Sequence, residues 1–384
     1  MKAYKVELKP TQSQKETLNQ TFGNCRWVYN AFLAHNQKER ELGNKFVTGY
    51  HYSKFLNNSE DTPEWVKKTS SKATKKAIMD AEKAYKNFFK GLAKFPKWKK
   101  KGKSRDSAYL IGTIKTERHR VFLPTLKWVR IKEFGYIPKG AKIKSATVSR
   151  TADKYFVSIL VDEAPIVYPK PTGDGIGIDL GIKDFAITSA NKTYKNINKG
   201  GRLRKLEKRL KREQRKLSRK FEAKKRKGGE TATESYANIR KQMMKVAKLH
   251  MRMTNIRTDY INQVIAEVIK QKPSYVTVED LNVKGMMKNR HLSKAVAGQK
   301  FFEFKTKLIH KAKEHGIEVR EVARNYPSSQ LCSACGIKFD PEVQGERWSL
   351  KIRDWECKHC NTHHDRDLNA SFNLKQAFGY KVLT

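Results

Sequence analysis

The first residues alternate. In Met1-Lys-Ala-Tyr-Lys-Val-Glu-Leu, Tyr4, Val6 and Leu8 share one face, and a period of two predicts a strand over residues 2–9. The period then lengthens. Thr11 and Gln14 form a capping-box signature, and Leu18, Phe22, Cys25, Tyr29 and Phe32 follow at 4-3-4-3 spacing, so a helix is predicted through about residue 42. A second helical stretch, about 73–92, carries Ala77, Ala81, Tyr85 and Phe88. From about 107 to 163 the pattern is again of strands. Ala141, Ile143 and Val148, then Tyr155, Val157, Ile159 and Val161, alternate about a Thr151-Ala-Asp-Lys turn. A β unit split by a helical insert after its first strand fits residues 1–165.

The Pro-rich stretch from Asp162 to Gly173 marks a domain boundary. Beyond it, Ile176–Gly181 reads as a strand with Asp179 near its end, and Phe185–Thr188 and Thr193–Ile197 as two more. Leu203, Leu206, Leu210 and Leu217 mark an amphipathic helix with a very basic outer face, ended by the loop Lys227-Gly-Gly-Glu-Thr-Ala-Thr233. A second helix, about 236–271, carries the stripe Ile239, Met243, Val246, His250, Met253, Ile256, Tyr260 and Val264. The two read as an antiparallel hairpin, with His250 packed on its buried side. Pro273–Leu281 is a hydrophobic strand ending in Glu279. A helix near 297–315, the strand Ile317–Val322 and a last helix from about Asp367 to Phe378 complete the pattern.

Charge narrows the partners. The 384 residues hold 82 Lys+Arg against 38 Asp+Glu, a formal +44, which calls for a polyanion. The basic residues run through the whole chain and do not cluster beside an amphipathic anchor, so nucleic acid is favoured over membrane. There is no apolar run of bilayer length and no signal-like start. The expected location is the cytoplasm, or the nucleoid of a bacterium. Phe95, Lys97, Trp98, Lys99, Lys100 and Lys101 interleave aromatic and basic side chains that could stack on bases and neutralise phosphates; the alternative is a solvated loop whose aromatics anchor it. Arg202, Arg204 and Lys205 open the basic helix and are further nucleic-acid candidates.

Four of the five cysteines form Cys332-x2-Cys335 and Cys357-x2-Cys360, separated by 21 residues. That spacing predicts one structural Zn²⁺ in a closed four-cysteine ribbon over about 324–362, leaving His359, His363 and His364 no vacancy. Cys25 continues a buried stripe and reads as a core thiol. Three acidic islands stand out against the basic background: Gly177-Ile178-Asp179-Leu180-Gly181, Val278-Glu279-Asp280-Leu281 and Asp365-Arg366-Asp367-Leu368-Asn369-Ala370. Each alone is a weak signal. Together they order an Asp on a first strand, a Glu ending a later parallel strand and an Asp opening a final helix. That is the ribonuclease-H-like arrangement in its RuvC order, suited to holding Mg²⁺, two ions in the two-metal scheme, on a phosphodiester.

The blocks Lys9-Pro-Thr, Phe22-Gly-Asn-Cys-Arg-Trp-Val-Tyr-Asn30, Phe95-Pro-Lys97, Gly177–Lys183, Val278–Met286, Ser328–Gly336 and Cys357–Ala370 resemble the TnpB family, transposon-encoded RNA-guided nucleases related to type V CRISPR effectors. The resemblance implies an α+β and α/β multidomain fold. A wedge-like β-barrel (1–9 and 107–165) would hold a helical recognition insert (10–106). A RuvC-like nuclease domain (172–323 and 363–384) would be interrupted by the zinc ribbon (324–362). It implies Asp179, Glu279 and Asp367 as the catalytic Mg²⁺ ligands, with Asp365 and Asp280 as bystanders. It implies a guide RNA from the transposon end, double-stranded target DNA beside a short flanking motif, a role in transposon retention, and no membrane partner. A monomer is the expected state. The rival readings are a guided but non-cleaving repressor, against which the intact triad argues, and a strand-transfer transposase, whose acids usually run Asp, Asp, Glu.

Overall fold

The computed structural model describes the chain apart from Asp61, residues 165–167, Lys170, residues 227–232, Glu346 and Leu350, and the side chains of 233–235. The loop expected to end the basic helix therefore lies largely outside the described residues. The chain divides into two compact units, Met1–Ala164 and Pro165–Thr384. No helix among the described residues is long and apolar enough to cross a membrane.

The first unit runs β1 (Lys2–Lys9), α1 (Gln12–Glu41), α2 (Gly49–Asn58), α3 (Glu64–Lys67), α4 (Ser71–Phe89), β2 (Asp106–Leu110), β3 (Lys115–Thr116), β4 (Arg120–Leu123), β5 (Lys127–Ile131), β6 (Lys142–Thr151) and β7 (Lys154–Asp162). Its seven strands make an antiparallel sheet in the order β2-β6-β7-β1-β5-β4-β3. The capping box forms as read: Gln14 N–H donates to Thr11 Oγ1 at 3.3 Å and Thr11 N–H to Gln14 Oε1 at 3.0 Å. One helix then serves two cores. Leu18, Phe22 and Cys25 of α1 pack on the sheet. Val28, Tyr29, Phe32 and Leu33, further along, pack with α2 and α4. Burial pushes the Cys25 thiol up to about 11, in keeping with a core thiol.

The second unit runs β8 (Ile176–Leu180), β9 (Asp184–Thr188), β10 (Lys192–Lys195), α5 (Gly201–Arg226), α6 (Thr233–Lys270), β11 (Tyr275–Glu279), α7 (Val283–Met286), α8 (Ser293–Gln299), α9 (Phe301–Glu314), β12 (Glu318–Val322), α10 (Pro341–Gln344), β13 (Asp354–Glu356), β14 (His363–Asp365), α11 (Arg366–Gln376) and β15 (Tyr380–Val382). Its main sheet has the order β10-β9-β8-β11-β12-β15. The central strands β8, β11 and β12 are parallel and the flanking ones antiparallel. Ile261, Val264, Ile265 and Val268 of α6 and Phe304 and Leu308 of α9 share one core with the sheet.

Two details depart from the periodicity reading. His250 is exposed. Ile239, Met253 and Val264 of the expected stripe are buried, but Leu249 takes the place of His250, and Gln242 is buried too, its amide donating to the Glu213 carbonyl at 2.9 Å and carboxylate at 2.7 Å. A buried amide is invisible to a hydrophobic count. The helix near 297–315 is two helices, because Lys300 adopts a left-handed φ of 57° between α8 and α9.

Candidate active site and metal centre

Asp179 and Glu279 stand at the carboxyl ends of adjacent parallel strands. Val278 pairs with Ile178 in register, so the two acids extend from neighbouring positions one residue further on. The third acid comes from α11, which lies against β8 because Gly177 has no side chain. A Cβ there would come within 2.0 Å of the Ser371 carbonyl oxygen and 2.5 Å of Lys375 N. On the helix, Ala370 and Ser371 are correspondingly small and buried. The glycine in Gly-Ile-Asp-Leu-Gly thus lets α11 lie close on β8, with Asp367 in its first turn near enough to influence Asp179.

The electrostatics record the convergence. Burial, then the Glu279 and Asp367 carboxylates, push the Asp179 carboxyl up to about 8 against the opposing pull of Arg366. Burial also raises Glu279, partly offset by a hydrogen bond from Ser328. Asp367 is held by Arg366, Nη2 to Oδ1 at 2.9 Å, and by Arg353, Nη1 to Oδ2 at 3.1 Å. Carboxyl groups brought near one another in a partly buried setting resist ionising together, and an all-oxygen donor set is the kind a hard divalent cation such as Mg²⁺ takes. The neighbouring acids have other work. Asp365 caps α11 by accepting Leu368 N–H at 2.8 Å, and Asp280 pairs with Arg324 at 2.7 Å.

The four cysteines close more tightly. Their sulfurs all lie within 4.8 Å of one another, with Cys332 and Cys360 3.5 Å apart and Cys335 and Cys357 3.7 Å apart. Tetrahedral Zn–S bonds of about 2.3 Å require S···S separations near these values. Each knuckle turns on a residue with left-handed φ directly after its second cysteine, Gly336 at 75° and Asn361 at 51°. Beneath them lies a small core of Phe339, Trp355 and the partly buried Trp348. His364 Nε2 sits 3.0 Å from Cys332 Sγ, beside the four sulfurs.

Among the nucleic-acid candidates, Phe95, Lys97, Trp98, Lys100, Lys101, Arg202, Arg204 and Lys205 are exposed. Lys99 is drawn inward. Its ammonium lies 3.8 Å from the Tyr29 ring centre, and its backbone N–H and carbonyl are both gripped by the Asn30 amide, at 2.8 and 2.9 Å. Phe95 packs edge-on against Tyr85 and Phe88, the anchoring weighed for it, and is 41% exposed.

The residues missed in the sequence are those that fasten the site: Ser328, Arg353, Arg366, Asn369 and Asn373. One signal was present. Asn369 and Asn373 are one helical turn apart on the face that also carries Ala370 and Leu374, and amides on a buried face need partners.

A protein of Streptomyces pristinaespiralis named "Putative RNA-guided DNA endonuclease" is 31% identical over 98% of this chain and 89% of its own length. The chain belongs to the TnpB family. A second TnpB relative, from Escherichia coli K12 and named "Putative RNA-guided DNA endonuclease InsQ", is 28% identical over 100% of this chain and 93% of its own length. Family models described as "Probable transposase" and "Cas12f1-like, TNB domain" match residues 158–290 and 301–374. A third, described as a helix-turn-helix domain, matches residues 1–45, where this TnpB chain has a strand and one long helix. A solved structure, "Cryo-EM structure of the Cas12f1-sgRNA-target DNA complex", shares the fold at a TM-score of 0.58 and 16% identity, covering 97% of this chain and 84% of that one.

Proposed function

We propose that this TnpB chain is an RNA-guided, Mg²⁺-dependent endonuclease. It cuts double-stranded DNA beside a short flanking motif, directed by a guide RNA from its transposon's end, and so favours transposon retention. The observation that carries this reading is the meeting of Asp179, Glu279 and Asp367 at the ends of two parallel strands and one helix. The names of the two relatives and the fold shared with a nucleic-acid-bound effector support it. In this reading 1–9 and 107–165 form the wedge, 10–106 the recognition insert, 172–323 and 363–384 the RuvC-like nuclease and 324–362 a ribbon with one structural Zn²⁺.

When bound, Mg²⁺ supplies an activated water and stabilises the leaving 3′ oxygen. The protein's own part is placement. Asp179 and Glu279 face the phosphodiester from strand ends fixed by backbone pairing, and Asp367 from a helix seated on Gly177. Exposed lysines and arginines hold the polyanions, while guide–target pairing reads the sequence.

The test is cleavage by the RNA-bound protein of a plasmid library, with a guide-matched target beside randomised bases. Depletion of one flanking motif by wild type and not by Asp179→Ala is expected. Target binding without cutting would favour a repressor. The match to a model described as "Probable transposase" also favours looking for joined DNA ends, which would favour strand transfer.

A further inference from the structure

Glu279 leaves the end of β11 with one carboxylate oxygen committed, since the Ser328 hydroxyl donates to its Oε1. Ser328 is buried, and the turn around it is fastened to α11. The Asn373 amide donates to the carbonyls of Ser328 and Leu331, both at 2.7 Å. One helical turn earlier, Asn369 donates to the Leu331 carbonyl at 2.6 Å and accepts Ser333 N–H at 2.9 Å. The Tyr326 hydroxyl closes the near end on the Asn373 carbonyl at 3.1 Å. The segment is a single turn, Leu331 N–H to the Pro327 carbonyl at 3.1 Å, and it runs straight into Cys332. Asn369 and Asn373 are only 2% and 5% exposed, so these bonds are made out of water's reach and hold the turn in one place.

We infer that Ser328 is a positioning residue for Glu279, and that the Asn369–Asn373 clamp ties its position to the first cysteine knuckle. The inference rests on reading Asp179, Glu279 and Asp367 as cation ligands. A glutamate at a strand end swings about its side-chain torsions. A hydroxyl on one oxygen selects a single orientation and turns the other oxygen toward a cation. Asp367 rides on the first turn of the helix that clamps the Ser328 turn, so two ligands share one frame.

The experiment measures Mn²⁺ binding to the guide-RNA-bound protein by electron paramagnetic resonance, alongside the Mg²⁺ dependence of cutting. For Ser328→Ala, Mn²⁺ binding about tenfold weaker and a half-saturating Mg²⁺ about tenfold higher are expected, with the rate at saturating Mg²⁺ nearly restored. Ser328→Thr keeps the hydroxyl and returns both values toward wild type. Asn373→Ala, which releases the Ser328 and Leu331 carbonyls, gives the same split as Ser328→Ala. RNA binding and zinc content stay at wild-type levels throughout. Wild-type Mn²⁺ affinity in Ser328→Ala, equal impairment of the Ala and Thr variants, or loss of zinc in either would overturn the inference. If wild type binds Mn²⁺ through Asp179 but does not cut, the nuclease reading fails and the positioning role stands. If Asp179→Ala binds Mn²⁺ as wild type does, the ligand reading fails and takes the inference with it.

Discussion

The cysteine cluster and the carboxylate cluster belong to the same unit, and both gather groups that are negative when ionised, but they are built in opposite ways. The cysteines come from two turns, close to within 4.8 Å of one another, and have a small aromatic core beneath them. The carboxylates come from three separate elements, and one of them, Asp367, is held by two arginines. A closed set of four leaves no position for a reactant, whereas a set of three on separate elements does. The difference teaches where to look for chemistry: at the looser cluster, whose members are placed by the fold rather than by one another.

The comparison breaks most sharply on Asp179→Ala. Cutting falls to background while RNA binding and zinc content stay near wild type, as read by cleavage gels, filter binding and metal analysis. Cys335→Ser produces the reverse pattern of damage. A ribbon with so small a core depends on its metal, so amide protection over residues 331–365 collapses, and Trp348 and Trp355 fluorescence shifts to the red. Gly177→Ala reaches the carboxylate cluster through the fold. A Cβ within 2.0 Å of the Ser371 carbonyl forces α11 away from β8, costing about 3 kcal/mol or more in chemical denaturation, and Asp367 moves with it.

A smaller effect is carried by protons. Burial, Glu279 and Asp367 raise Asp179 to about 8, above the unfolded carboxyl at about 4. Between those values the unfolded chain has lost a proton that the cation-free folded chain keeps. The contribution of Asp179 to the stability of the cation-free protein therefore falls as pH rises from about 4 to about 8 and levels off above, a slope that Asp179→Ala removes. Mn²⁺ binding at pH 7 releases about one proton, measurable by calorimetry in buffers of different ionisation enthalpy. The smallest effect separates two kinds of lysine. Lys100→Ala lowers the salt dependence of RNA binding by about one ion, whereas Lys99→Ala leaves that slope alone and costs about 1 kcal/mol of stability through its lost contact with Tyr29.

Much of this was legible in the residues because it is local. The strand of Tyr4, Val6 and Leu8, the Thr11–Gln14 cap and the 4-3-4-3 stripe of α1 depend on neighbours in sequence. The four-cysteine cluster was legible from spacing for the same reason. What escaped depends on partners far along the chain. Tyr380–Val382 is exposed throughout and, at three residues, too short for a pattern to mark it, and it is a strand because β12 pairs with it. Ser328 gives no sign in sequence that it faces Glu279 across 49 residues. Asn30, 69 residues before Lys99, decides that this lysine turns inward.

The helix α5 also has a consequence as a polyelectrolyte. Its 26 residues, Gly201–Arg226, include fourteen lysines and arginines against three glutamates. At 1.5 Å of rise per residue that is one net positive charge per about 3.5 Å of axis, close to the phosphate spacing of about 3.4 Å along a nucleic-acid strand. A rod of that density holds small anions about it just as a phosphate strand holds cations. When such a rod and a phosphate strand meet, ions leave both partners, and the gain in entropy comes from two atmospheres rather than one.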